Sequence, residues 1–98
     1  MYFQIDDLIS DIERKNDIVE IFKYNVLFTN NKEDLDMIID YMILQFSNKL
    51  KNNINQDIEK YVNSINHLNI VRQAFSINAN LDMTIDNLLI SLWEEFKQ

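Results

Sequence analysis

Residues 33–51 read EDLDMIIDYMILQFSNKLK, and this run decides the fold. Leu35, Ile38, Ile39, Met42, Phe46 and Leu50 recur at the spacing that gathers side chains on one face of an α-helix. Glu33, Asp34 and Asp36 stand where the first turn falls, and Lys49 and Lys51 where the last turn falls. Each sign then meets the end of the helix dipole that favours it. Asn52 and Asn53 close the pattern. The spacing predicts one long helix with a continuous apolar stripe.

The same period extends in both directions. Toward the N-terminus, Ile5, Leu8, Ile9 and Ile12 share a face, with Asp6, Asp7 and Asp11 early and Arg14 and Lys15 late. Asn16-Asp17 reads as a break. Asp17 followed by Glu20 has the form of a capped start, and Ile18, Ile21, Phe22 and Val26 continue a second helix up to the loop Thr29-Asn30-Asn31. Toward the C-terminus, a segment from Ile54 to about Ile77 carries Ile58, Tyr61, Ile65, Leu68 and Phe75 on one face. Arg72 stands where another apolar residue is due, and the length leaves room for a bend near Asn66–Asn69.

The last helix begins in residues 77–95, INANLDMTIDNLLISLWEE. Asn80 suits an N-cap, since its side-chain oxygen can accept from the free N–H groups of the first turn. Asn78 suits the end of the preceding helix, with the small Ala79 between them. At about 100° per residue, Leu81, Ile85, Leu88, Leu89, Leu92 and Phe96 make the core face, with Trp93 at its margin. Met83 and Ile90 fall on the opposite side, among Asp86, Asn87 and Glu94. A surface helix with one core needs one apolar face. The extra pair is either ordinary scattered exposure or a second face for a partner.

Composition sets the outer limits. The 98 residues suffice for one small domain, and 47% hydrophobic residues with 11% aromatics supply its core. Gly, Pro and Cys are all absent. This removes Gly-rich phosphate loops, disulfides and thiolate metal sites, and leaves Asn to make turns and helix ends. No strand-like alternation competes with the helical period, so the expectation is an all-α bundle of four to five helices in a single domain, 1–98. A net charge of −7 argues against direct nucleic-acid binding. No apolar run reaches the ~20 residues of a membrane span, and MYFQIDDLISDIE lacks the basic and apolar regions of a signal peptide. A soluble, cytoplasmic protein is expected. Met1-Tyr2-Phe3-Gln4 enters a helical pattern at once, as the start of a domain belonging to a longer subunit would.

Residues suited to chemistry are few. His67 is the only histidine, and a surface or half-buried imidazole is the expectation for it rather than a metal ligand. Ser64 shares a helix face with it through the helical period alone. Asp6/Asp7, Asp34/Asp36, Asp82/Asp86 and Glu94/Glu95 lie mostly in first turns or on polar faces, where dipole and solvent account for them. Lys49, Lys51, Lys60 and Arg72 are too sparse for a nucleic-acid footprint. No catalytic, cofactor-binding or metal-ligating residue is assigned, and no small-molecule substrate is expected.

Residues 70–95, IVRQAFSINANLDMTIDNLLISLWEE, resemble the C-terminal domain of the delta-prime subunit of the bacterial DNA polymerase III clamp loader. Ala74, Asn78, Asn80, Leu81, Ile85, Asp86, Leu88, Leu89 and Leu92 follow the family's Asn-x-Asn junction and leucine-rich final helix. The likeness is firm over residues 70–93 and extends over 31–96 if the Leu35–Leu50 helix is the preceding collar helix. It implies a non-catalytic collar domain whose partners are the other clamp-loader subunits, of the gamma/tau and delta types. A full subunit carries an ATPase-like module before the collar, and neither a P-loop nor a zinc-binding cysteine set is present here. On this reading Met83, Ile90 and Trp93 lie at or near a subunit contact, and Asn78 and Asn80 form the helix junction. The alternative is a self-contained small helical regulator that pairs with itself through the same surface.

Overall fold

The computed structural model describes residues 1–52, 58–77 and 80–97. These form six α-helices: α1 (Tyr2–Glu13), α2 (Ile18–Phe22), α3 (Asn25–Thr29), α4 (Leu35–Asn52), α5 (Ile58–Phe75) and α6 (Leu81–Phe96), with a 3-10 turn at Lys32–Asp34 leading into α4. The all-α bundle expected from the spacing is the fold observed. α5 packs along both α4 and α6, and the short α1–α3 segment wraps against α6 and α4.

The stripe in residues 33–51 behaves as its spacing requires. Ile38, Ile39, Met42 and Phe46 are fully buried, and Leu35 and Leu50 pack at the edges. Ile5, Leu8, Ile9 and Ile12 of α1 meet them from one side, and Ile85, Leu88, Leu89, Leu92 and Phe96 of α6 from the other. At the end where α4, α5 and α6 converge, the rings of Phe46, Tyr61 and Phe96 form a cluster with centroid separations of 5.4–6.3 Å. Such ring pairs contribute about 0.5–1.5 kcal/mol beyond their burial. Glu13 ties the same region to α1: its carboxylate accepts from the Tyr61 hydroxyl at 2.6 Å and pairs with Lys49 at 3.0 Å.

The second helix departs from expectation. The spacing of Ile18, Ile21, Phe22 and Val26 predicts one continuous helix, but the chain breaks at Lys23-Tyr24 into α2 and α3. The break shifts the phase, so Leu27 and Phe28 are buried while Phe22 and Val26 are 36% and 58% exposed. Two polar anchors hold the new phase. The Tyr24 hydroxyl donates to Asp11, and the Asn25 amide donates to Asp86 of α6 at 2.8 Å. Burying Leu27 and Phe28 in place of Phe22 and Val26 also removes slightly more apolar surface from water. Asp17 caps α2 as expected, accepting from the Val19 N–H at 3.4 Å, while Glu20 pairs with Lys23.

α5 (Ile58–Phe75) runs without interruption through Asn66–Asn69, with no break at the bend considered there. The expected start at Ile54 lies outside the described residues. Tyr61, Leu68 and Val71 are buried, with Ile65 and Phe75 packed at the core's edge. Ile58, expected on that face, is 44% exposed. Arg72 turns to α4 and pairs with Asp40.

Without glycine, α1 ends on a lysine. The Lys15 N–H bonds the Ile12 carbonyl and the Asn16 N–H bonds the Asp11 carbonyl, the two bonds of a Schellman ending. Lys15 takes the left-handed position with φ of 61°, alone among the described residues in having positive φ. Asparagine was the expected occupant of such a position. A side chain there costs about 1–2 kcal/mol that glycine avoids. Lys15→Gly is therefore expected to raise stability by about 1 kcal/mol in urea unfolding. Phe46→Ala, which empties the centre of the ring cluster, should lower it by about 3–5 kcal/mol in the same measurement.

Candidate functional site

The residues singled out in the sequence gather around α6. Asn80 is its N-cap: the side-chain oxygen accepts from the Met83 N–H at 3.1 Å, and the Asn80 carbonyl receives both the Thr84 N–H and hydroxyl. Asn78, the other half of the predicted junction, lies outside the described residues. The core face of α6 is the predicted one, with Leu81 and Trp93 packed at its edges.

Met83 is 62% exposed, and Ile90 is half-buried. With Asn87 and Glu94 they form a row along α6 on the side away from the core stripe. Trp93 lies elsewhere. Its ring packs against the core, Lys97 sits over it, and its indole N–H donates to the Asn16 carbonyl at 2.7 Å. The structure thus brings Met83 and Ile90 together and turns Trp93 to the α1–α2 turn.

Beside the Met83–Glu94 row runs an open groove of about 240 Å³ between α5 and α6. His67, Ile70, Val71 and Ala74 line it from α5, and Thr84, Asn87, Leu88 and Ser91 from α6. Each set follows the i, i+3, i+4, i+7 spacing, so the groove lies along two parallel helical ridges. Ile70 stands on its rim, 65% exposed. Helical spacing puts Met83 and Ile90 outside the core but does not mark Ile70. Its partners in the groove are set by how α5 packs on α6, which no local spacing encodes.

Asp86, Glu95 and His67 hold helices together around α6. Glu95 accepts from His67 at 2.9 Å and from the Asn63 amide at 3.2 Å, joining α6 to α5. Asp86 joins α6 to α3 through Asn25. Ser64 is fully buried and donates to the Lys60 carbonyl at 2.7 Å, so it has no part with His67. Among the described residues, no three His, Asp or Glu side chains converge to hold a metal ion, and no helix is long and apolar enough to cross a membrane.

Two phenols are perturbed away from this face. Burial, then the hydrogen bond and negative charge of Asp11 with the charges of Asp7 and Glu20, pushes the Tyr24 pKa well above its ordinary value. The hydrogen bond to Asp6, then burial and the charges of Asp6 and Tyr2, raises the Tyr41 pKa.

Compared with known protein families, with curated proteins and with solved structures, the chain matches none. What its fold defines is a small all-α bundle with an apolar row and an adjoining groove on its last two helices.

A pKa raised in the folded state means that stability is present below the unfolded value, about 10 for tyrosine, and is lost as pH rises beyond it. Unfolding free energy should therefore fall above about pH 10. Tyr24→Phe should reduce that fall, at a cost of about 1 kcal/mol at neutral pH for the lost hydrogen bond. Urea unfolding across the alkaline range checks both.

Proposed function

We propose that this chain is a non-catalytic assembly domain, of the collar type that holds clamp-loader subunits together, and that α6 carries its contact with a neighbour. The observation that carries this reading is the apolar character of α6 on two sides. Its core stripe is filled by its own bundle, yet Met83 and Ile90 add apolar surface on the outside, with Ile70 exposed across the groove. Exposed apolar residues clustered on one face are a common mark of a protein contact. The likeness of residues 70–93 to the delta-prime collar adds the identity of the neighbours, the gamma/tau- and delta-type subunits of a DNA polymerase III clamp loader. The N-cap at Asn80 supports it in one particular, since the Asn-x-Asn junction depends on that residue starting the last helix.

The test is capture of partners by the tagged chain from lysate of its source organism, read by mass spectrometry. Recovery of clamp-loader subunits is the expected result. Recovery of the bait alone, running as a dimer, supports instead the small self-pairing regulator. Met83→Glu should abolish capture with melting almost unchanged, and Ile90→Glu should abolish it with a modest loss of stability because that side chain is half-buried. Leu88→Ala, inside the core, should cost about 2–5 kcal/mol. Unfolding by Met83→Glu would mean that the faces of α6 are assigned wrongly.

A further inference from the structure

We draw no further inference here: the strongest candidate, the open groove between α5 and α6 with Ile70 and Met83 exposed beside it, is the face that already carries the assembly reading, and nothing in the structure shows what covers it.

Discussion

The hydrogen bond from the Trp93 indole to the Asn16 carbonyl joins the two ends of this fold. It can form only because the α1–α2 turn presents that carbonyl, and the turn in turn depends on Lys15 holding a left-handed backbone. The same turn is braced by Asp11, which accepts from the Asn16 amide at 3.0 Å and from the Tyr24 hydroxyl. One carboxylate thus fixes the exit from α1 and the phase of α3. The buried positions of Leu27 and Phe28 follow from that phase. A chain with glycine at hand would reach the turn with less strain. This one reaches it through bonds that also decide where the next two helices go.

α5 has the opposite problem. It is flanked by α4 on one side and α6 on the other, so a single apolar stripe does not describe it. Arg72 pairs with Asp40 toward α4, while His67 and Asn63 meet Glu95 toward α6. These ties are partly exposed, where ion pairs contribute little energy. Their effect is on alignment, because each connects a particular turn of α5 to a particular turn of its neighbour. The groove beside α6 is the space that this alignment leaves open.

Helix content and core faces were legible in the sequence wherever a helix has one core side, as α1, α4 and α6 do. The Asn80 cap was legible too, being local chemistry over a few residues. The break at Lys23-Tyr24 was not, because its causes, Asp11 and Asp86, lie 13 and 61 residues from the side chains they hold. Trp93 sat at the margin of the predicted stripe, and periodicity could not tell an outward ring from one turned to α2. Ile70 was hidden for a related reason. Its exposure beside Asn87 depends on the pairing of two helices, and the weak apolar pattern of α5 gives no hint of which side faces the neighbour.

The bond between Trp93 and Asn16 spans 77 residues, whereas α4, α5 and α6 meet as neighbours in the chain. Joining adjacent helices closes short loops, and docking α1–α3 onto α6 closes a long one, with a larger entropy to overcome before any contact rewards it. Loop closure therefore favours the C-terminal three helices kinetically, and the N-terminal arm is expected to close over them last. Since the chain has one tryptophan, and its ring lies at the seam where the arm arrives, its emission should follow that closure rather than the formation of the first helices.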